Sequence, residues 1–363
     1  MSLADFVIIT PLSEERDAVI EKLSKVCTCK KLNPSNDDIR TYYWADLPVT
    51  SPEGTKGTYG VVVMPLLGMG RPGATAATVD AIRRWHPEYI ILVGIAGGNF
   101  QQRVGFGDIL APEQIVDYEL QKWTAKDVEV RWKVYPTDQR LLGAVQNFTN
   151  NDVWHELITT KRPRNGLSQC HYGGAIASGD KVDAVREVFT KYQNTWPKLL
   201  GIEMEAGGVG IATIQAAHPP GFFMIRGVSD LADEEKDSEE VKKWRSYACD
   251  VAASYTIAFL RSGPVPLQSN GLDLTKLTDM LQRSGRASNA SQRSLCLEIG
   301  IDPDQLAFLN ATPHDFSVQL IDYLNKTENR VAIVQLCKAI KRLLGESLRK
   351  EVCQIQSELE YKS

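Results

Sequence analysis

The sequence predicts an α/β protein with a largely parallel, twisted central sheet, followed by a small all-α helical bundle. Short, continuously apolar runs such as Phe6–Ile9, Val61–Met64 and Tyr89–Val93 alternate with segments of helical periodicity, which is typical of strands in a parallel sheet. Several runs end in glycine-rich turns, among them Gly94–Gly98. Beyond residue 271 the periodicity is helical throughout. We therefore expect a three-layer domain, with helices covering both faces of the sheet, before the bundle.

Length and composition are those of a globular protein of two domains. The chain has 363 residues, of which 43% are hydrophobic and 24% charged, and its net charge of −4 gives no bias toward nucleic acid or membrane surfaces. Its 7 cysteines lack metal-type pairing and favour reduced thiols. We find no secretion leader and no apolar run of roughly 20 residues. We expect a cytoplasmic protein with no metal, cofactor, nucleic-acid partner or membrane contact.

The first third of the chain predicts strands that lead into helices. Phe6–Ile9 is followed by a helix with Ser13 as its N-cap and Glu15 in its first turn. Residues 30–57 are polar and rich in turn formers, which predicts a hairpin with a loop. After the next strand, the turn Gly68–Gly73 begins another helix.

The same alternation continues to the end of the first domain. A strand is expected at Asp108–Ala111, and the small apolar run His171–Ala177 leads through Ser178–Val182 into a helix. Ala206–Ala217 is rich in glycine and alanine, which predicts a helix packed close to the sheet, and Phe222–Ile225 is a further apolar strand.

Two acidic runs, GIEMEA at 201–206 and RGVSD at 226–230, contain groups suited to breaking the bond between a ribose and its base. Glu203 and Glu205 are two residues apart, so on an extended segment both carboxylates face the same side, whereas on a helix they diverge. Asp230 follows an apolar strand, and carboxylates at the ends of parallel strands lie over the crevice in which α/β sheets bind ligands. An isolated E-x-E is more often a solvated rim, and Glu203 is as well suited to holding backbone amides.

Motifs occur in a defined order along the first 262 residues. They are ITPLSEERDAV, VGIAGG with GDIL, ASGD, IEMEA and IRGVSDLAD, followed by the W-x-x-Y-A of Trp244–Ala248. This order resembles the nucleoside phosphorylase and methylthioadenosine/S-adenosylhomocysteine nucleosidase superfamily, and implies its fold. The version with TPL at the start is most similar to domains fused to signalling or defence proteins.

The resemblance implies three catalytic residues. Glu15 aligns with the carboxylate that activates the attacking water, and Asp230 with the acid that serves the purine N7. Met204 and Glu205 align with the ribose-binding pair, in which the glutamate accepts hydrogen bonds from the sugar hydroxyls. Asp230 acts as an acid only with a pKa above its ordinary value of about 3.9. Burial would raise that pKa and Arg226 would oppose the rise if it pointed inward, whereas Glu15 and Glu205 are expected to be anions.

Further substrate contacts follow from the same resemblance. Ser229 is expected to steady the catalytic aspartate, and Val182 aligns with a base-stacking position that is often aromatic. Ile95, with Ala96 and Gly97 in the glycine turn, stands where many relatives have serine or threonine. A hydroxyl at this position helps to hold phosphate in phosphorylases, so its absence favours water as the nucleophile.

Several basic residues leave alternatives open. Arg71 is either an anion ligand or a solvated residue at a helix start, and Arg226 is a second candidate ligand. The basic loop of Lys161, Arg162 and Arg164 is either solvated or, if it reaches the pocket, suited to the phosphates of a nucleotide.

We therefore expect a purine N-ribosyl hydrolase acting on nucleosides or on nucleotides such as ATP. A phosphate-dependent purine nucleoside phosphorylase is the alternative. A sensing module that binds nucleosides without turnover is a third reading, although a pure binder needs neither an acid nor a water-activating base.

The predicted domains are 1–262, a linker at 263–271 rich in glycine, proline and serine, and a helical domain at 272–363 with five or six short helices. An apolar stripe of Val331, Val334, Cys337, Ile340 and Leu344 is expected in its core.

The stretches RSLCLEIGI and FSVQLIDYLNKT resemble the death-fold-like effector-associated domains of bacterial conflict systems. That resemblance implies an adaptor that binds a protein partner, with a dimerisation or stability module as the alternative. Relatives of the first domain also imply a homo-oligomer.

Overall fold

A computed structural model describes residues 4–32, 39–52, 54–125, 128–148, 153–181, 187–232, 238–267, 274–327 and 329–360. Val182, predicted to stack on the base, lies outside the described residues. The chain divides into two compact units, Met1–Leu267 and Gln268–Ser363. No helix in the described part of the chain has the length and apolarity needed to cross a bilayer.

The strands of the described residues belong to the first unit. They are β1 (Phe6–Thr10), β2 (Cys29–Lys31), β3 (Tyr43–Thr50), β4 (Lys56–Pro65), β5 (Tyr89–Gly98), β6 (Ile109–Ala111), β7 (Gln114–Asp117), β8 (Gln121–Trp123), β9 (Val128–Val130), β10 (Lys133–Pro136), β11 (Cys170–Tyr172), β12 (Ala175–Ser178), β13 (Leu199–Glu203) and β14 (Gly221–Asp230).

The helices of the first unit are α1 (Ser13–Val26), α2 (Arg71–Trp85), α3 (Gln139–Phe148), α4 (Val153–Glu156), α5 (Glu187–Gln193), α6 (Ala206–Ile214) and α7 (Glu239–Arg261). Those of the second unit are α8 (Leu274–Arg283), α9 (Asn289–Glu298), α10 (Pro313–Lys326), α11 (Arg330–Lys341) and α12 (Glu346–Glu360). Short 3₁₀ turns lie at Phe100–Gln102 and Pro303–Gln305.

Most strands form one mixed sheet with parallel central strands. Its order is β10-β7-β12-β13-β5-β1-β4-β3-β2, with β14 paired to β5 and β6, and β11 paired to β6. β4, β1, β5 and β14 run parallel, whereas β13 is antiparallel to β5 and β3 is antiparallel to β4. The predicted α/β fold is confirmed. The antiparallel pair β2–β3 lies where a hairpin was expected between residues 30 and 57, and β3 forms a second antiparallel pair with β4, which extends to Pro65.

Helices cover both faces of the sheet, and β1 is therefore buried on both sides. Phe6 and Ile8 pack with residues of α1 and α7, whereas Val7 and Ile9 pack with residues of α2 and α6. Full burial of each such side chain contributes about 1.5–3 kcal/mol, so the central strands are well suited to anchoring the residues that follow them.

The α1 helix is held to α7 by a buried ion pair. Lys22 is fully buried, with Nζ 2.5 Å from Asp250 Oδ1, and it donates a hydrogen bond of 2.6 Å to the Thr159 hydroxyl. α1 begins with Leu12 as its N-cap, one residue before the predicted Ser13.

The second unit packs the apolar faces of α8 to α12 around one core. Within α11, the predicted stripe is partly wrong: Val331 is exposed, while Ala332, Ile333 and Leu336 are buried beside the predicted Cys337 and Ile340. The spacing of apolar residues in α11 is compatible with two buried faces, one that contains Val331 and one that contains Ala332. The neighbouring helices pack against the face that contains Ala332.

Candidate active site

A cavity of about 370 Å³ lies where several strands of the sheet end. β1, β5 and β14 are parallel, so their carboxyl ends meet at one edge, as in the ligand crevices of α/β sheets. Small residues bring β13 to the same place: Gly201 pairs with Gly98, and a Cβ at Gly201 would lie 2.5 Å from the Gly97 carbonyl oxygen. The residues that line the cavity include four carboxylates, Glu15, Glu203, Glu205 and Asp230.

Glu15 connects the end of β1 to the end of β5. It lies in the first turn of α1 with 2% of its surface exposed. Its Oε2 accepts a hydrogen bond of 2.6 Å from the Leu12 amide, and its Oε1 accepts one of 2.8 Å from the Ile95 amide. Burial raises the pKa of Glu15 to about 7, against the opposing effects of Arg226 and of these two amides. Glu15 was predicted to be an anion, whereas a carboxyl group with this pKa is about half protonated at neutral pH.

Arg226 is the cation that lies beside three of the four carboxylates, Glu15, Glu203 and Glu205. It lies on β14 opposite Gly94 of β5 and is fully buried. Its Nη2 pairs with Glu203 and lies 3.0 Å from Glu205 Oε2, and its Nη1 lies 4.0 Å from Glu15 Oε1.

Glu203 and Glu205 face the same guanidinium nitrogen, so they lie on one side as predicted, although only Glu203 is on the strand and Glu205 is the N-cap of α6. Glu203 ends β13 and also accepts hydrogen bonds of 3.0 to 3.1 Å from the amides of Glu205 and Ala206, which fixes the start of α6. Glu205 Oε1 accepts a hydrogen bond of 3.1 Å from the Gly70 amide. Burial raises the pKa of Glu205, Arg226 lowers it and the charge of Glu203 raises it again.

Ser229 and Asp230 end β14 and both line the cavity. The Ser229 hydroxyl lies 2.8 Å from Asp230 Oδ2 and 3.4 Å from the Ala96 carbonyl oxygen, and Asp230 Oδ1 accepts a hydrogen bond of 2.9 Å from the Ala232 amide. Because the hydroxyl lies near a second acceptor, the Ala96 carbonyl oxygen, it can turn away from Asp230 Oδ2.

The remaining predicted site residues fall into two groups. Met204, Ile95, Ala96 and Gly97 line the cavity. The two predicted arginine ligands are absent from the described lining residues. Arg226 lies behind the carboxylates that it neutralises. Arg71 Nη1 lies 3.2 Å from Asp117 Oδ1, in an ion pair. The sequence left open a contact between these arginines and a substrate anion, and this placement does not favour it.

Sequence reasoning missed three cations that line the cavity, Lys181, Lys242 and Arg245. Lys242 and Arg245 lie near the start of α7, where a sequence offers no sign that distinguishes them from an ordinary solvated helix face. The basic loop at 161–164 is not part of the described lining, and the Arg162 guanidinium packs 4.9 Å from the centre of the Trp244 ring.

The family model described as the phosphorylase superfamily matches residues 5–261. The chain belongs to this superfamily. The resemblance found in the sequence motifs is therefore confirmed.

Curated relatives of this superfamily member include named nucleosidases. A 5′-methylthioadenosine/S-adenosylhomocysteine nucleosidase of Marinomonas sp. (strain MWYL1) is 29% identical over 184 residues, which cover 48% of the chain and 70% of that protein. A death domain-containing ATP nucleosidase of Amphimedon queenslandica is 26% identical over 272 residues, which cover 70% of the chain and 48% of that protein. The chain thus spans about half the length of the second relative.

Solved structures show the same fold. The 5′-methylthioadenosine/S-adenosylhomocysteine nucleosidase of Neisseria meningitidis, in complex with methylthio-immucillin-A, superposes with a TM-score of 0.53 at 20% identity. The match covers 71% of this chain and 99% of that one. The corresponding nucleosidase of Streptococcus pyogenes gives a TM-score of 0.55 at 17% identity, over 74% of this chain and 99% of that one.

Proposed function

We propose that this protein hydrolyses the N-ribosidic bond of purine nucleosides or nucleotides, with water as the nucleophile. The observation that carries the proposal is the convergence of Glu15, Glu205 and Asp230 on one cavity, two of them beside the buried Arg226. Relatives named as nucleosidases support the reaction class.

Glu205 is proposed to hold the ribose. Hydrogen bonding to the Gly70 amide and pairing with Arg226 fix its carboxylate, so that a sugar hydroxyl can donate to it. As the ribosidic bond breaks, the sugar becomes cation-like, and a fixed anion nearby stabilises that charge more than it stabilises the ground state.

Glu15 is proposed to activate the water. A general base is most effective with a pKa near the working pH, and the pKa of about 7 meets this condition. The water oxygen bonds to the anomeric carbon and its proton passes to the ionised Glu15. Met204, also at the cavity wall, is proposed to pack against the sugar.

Asp230 is proposed to protonate the base. The ribosidic electron pair leaves with the purine, whose N7 receives the proton from Asp230 Oδ2, while Ser229 turns its hydroxyl between Ala96 and Asp230. The products are the free base and the ribose or ribose phosphate.

Water is favoured over phosphate as the nucleophile for two reasons. Ile95 supplies no hydroxyl at the glycine turn, and Arg71 and Arg226, the sequence candidates for phosphate ligands, do not line the described cavity. Both features favour hydrolysis over the phosphorylase alternative.

The wider role is proposed from the domain organisation. Residues 1–262 are the catalytic domain, 263–271 the linker, and 272–363 a helical adaptor that binds a protein partner of a cytoplasmic, homo-oligomeric signalling or defence effector. The relative named as a death domain-containing ATP nucleosidase supports this combination and ATP as a candidate substrate.

The test uses the purified full chain with adenosine, guanosine, inosine, AMP and ATP, each with and without inorganic phosphate. We expect free base in the absence of phosphate, and ribose or ribose 5′-phosphates as the second product. Release that requires phosphate and yields ribose 1-phosphate would establish the phosphorylase instead. Binding without release of any base would favour the sensing module.

A further inference from the structure

We infer that Lys242 and Arg245, together with Lys181, form a phosphate-binding subsite at the mouth of the cavity, and that the preferred substrates are nucleotides. This inference rests on the proposed function, which by itself leaves nucleosides and nucleotides open. It differs from the sequence expectation, which considered the basic loop at 161–164 for the same purpose.

The two α7 cations lie on one face of the helix. Residues three apart in a helix are neighbours on its surface, so Lys242 and Arg245 point in similar directions. Trp244 and Tyr247 are buried in the core and hold the opposite face of α7 against the sheet. The cations are therefore presented by a fixed helix, and both line the cavity.

Charge is segregated along the cavity. The four carboxylates are buried in its interior, whereas the Lys242 and Arg245 side chains are 63% and 47% exposed. The proposed base and ribose contacts, at Asp230 and Glu205, lie in the acidic interior. Phosphates attached at the 5′ position are repelled by the buried carboxylates and are strongly hydrated. They would therefore extend toward the exposed cations at the mouth.

The current partners of these cations are easily replaced. Lys242 Nζ lies 2.6 Å from Glu239 Oε1, Arg245 Nε lies 2.5 Å from Glu14 Oε1, and Lys181 Nζ lies 3.6 Å from Glu119 Oε2. All three pairs join partly exposed side chains, and such ion pairs are weak. A phosphate chain offers more negative charge and several strong acceptor oxygens to the same nitrogens.

Glu14 joins the subsite to the catalytic residues. It precedes Glu15 on α1 and binds Arg245 of α7, so the mouth of the cavity adjoins the residue proposed to activate water. A nucleotide that draws Arg245 away from Glu14 would occupy the cavity from the interior acids to the mouth.

The test compares ATP with adenosine in the full-length variants Lys242→Gln, Arg245→Gln and the double variant. Each single substitution is expected to lower the ratio of kcat/KM for ATP to that for adenosine by about 10-fold, and the double variant by more, because each removes a charged hydrogen bond to phosphate. The ratio in the unmodified protein should also fall with added salt. The control is Lys243→Gln, an adjacent exposed lysine of α7 outside the described lining, which should leave the ratio within about twofold.

The outcomes separate the two proposals. Cleavage of both compounds with an unchanged ratio in the double variant would overturn the subsite and leave the hydrolase standing. If neither compound is cleaved, the proposed function is wrong, and equilibrium binding of ATP and adenosine to the same variants decides the subsite. ATP binding that is no tighter than adenosine binding, or that is unaffected by the double substitution, would then overturn it as well.

Discussion

Arg226 and Glu205 form a buried ion pair, with Nη2 of the arginine 3.0 Å from Oε2 of the glutamate. The same guanidinium pairs with Glu203 and lies 4.0 Å from Glu15. If all three acids were ionised, two negative charges would lack compensation in a buried site, which is costly. A proton on one of the acids lowers that cost. The pKa values of Glu15 and Glu205 are raised for this reason.

Substitution of Arg226 is expected to damage stability and activity together. Arg226→Met leaves the carboxylates without their cation, which costs about 3–5 kcal/mol of unfolding free energy, and it raises the pKa of Glu15 further. The free energy is measured by urea unfolding at pH 7. Arg83→Gln, at an exposed arginine of α2, is the control and should change it by less than about 0.5 kcal/mol. A neutral effect of Arg226→Met would show that the acids do not depend on this pair.

The raised pKa of Glu15 makes stability depend on pH. From its ordinary value of 4.5 up to about 7, the folded protein retains a proton that the unfolded chain releases. The contribution of Glu15 to the free energy of unfolding, about 3 kcal/mol, is therefore fully present below pH 4.5. It is lost as the pH rises through 7. Glu15→Gln should lack this slope, so the difference in unfolding free energy between variant and unmodified protein should change with pH across this range, as measured by urea unfolding. A parallel pH dependence in both proteins would contradict the assignment.

The same group should govern the rate. If Glu15 is the base, kcat/KM rises with pH through about 7, because this parameter follows the pKa of the unliganded protein, and Glu15→Gln lowers it by at least about 10²-fold without that inflection. Asp17→Asn, at an exposed acid on α1, is the matched control and should retain both rate and inflection. An inflection that persists in Glu15→Gln would assign it to another group.

Asp230→Asn tests the proposed acid, and Glu205→Gln the ribose ligand. Each is expected to lower turnover of adenosine by at least about 10²-fold, because one loses the proton donor and the other the fixed anion. A purine nucleoside methylated at N7 distinguishes the two roles, because its base leaves without being protonated at N7. Asp230→Asn should retain much of its activity on that compound, whereas Glu205→Gln should lose activity on both. Equal losses on both compounds in Asp230→Asn would remove it as the acid at N7.

Much of the fold could be predicted because its determinants are local. Continuous apolar runs identify buried strands, and parallel strands place their carboxyl ends at one edge, which is why Asp230 could be expected over the crevice. Glu15 and Glu205 were expected beside it only because of the resemblance to the superfamily. The antiparallel approach of β13 to β5 could not be predicted, since it depends on contacts between glycines far apart in the chain.

The placement of charged residues was harder to predict. Arg226 occupies an apolar strand, and sequence alone cannot distinguish a cation that neutralises buried acids from one that meets a ligand. Lys242 and Arg245 have the spacing of any solvated helix face, so only the position of α7 beside the cavity indicates their use. Val331 was misplaced because two phases of α11 fit the same periodicity.

The Lys22–Asp250 pair is expected to hold α1, and with it Glu15, in place. Burial acts to raise the pKa of Asp250, but Lys22 and the groups of Thr160 outweigh it and bring the value to about 2. Lys22→Met leaves a buried carboxylate unpaired and should cost about 3–5 kcal/mol of unfolding free energy. The double variant Lys22→Met/Asp250→Leu should recover part of that loss, as measured by urea unfolding. No recovery in the double variant would show that packing, not charge, sets the cost.

Gly94 is expected to tolerate no side chain, because it lies where Glu15 and Arg226 approach each other. A Cβ at this position would overlap both Glu15 Oε1 and Arg226 Nη1. Both groups are buried and held by other partners, so Gly94→Ala should lower the free energy of unfolding by about 1–3 kcal/mol and displace the proposed base. Gly143→Ala in α3 is the matched control, since its Cβ meets nothing within 4 Å and alanine should stabilise the helix by about 0.5–1 kcal/mol. Urea unfolding and base release are measured for both variants. Full activity in Gly94→Ala would mean that Glu15 and Arg226 can move apart without loss of function, and their close placement would then be irrelevant to the reaction.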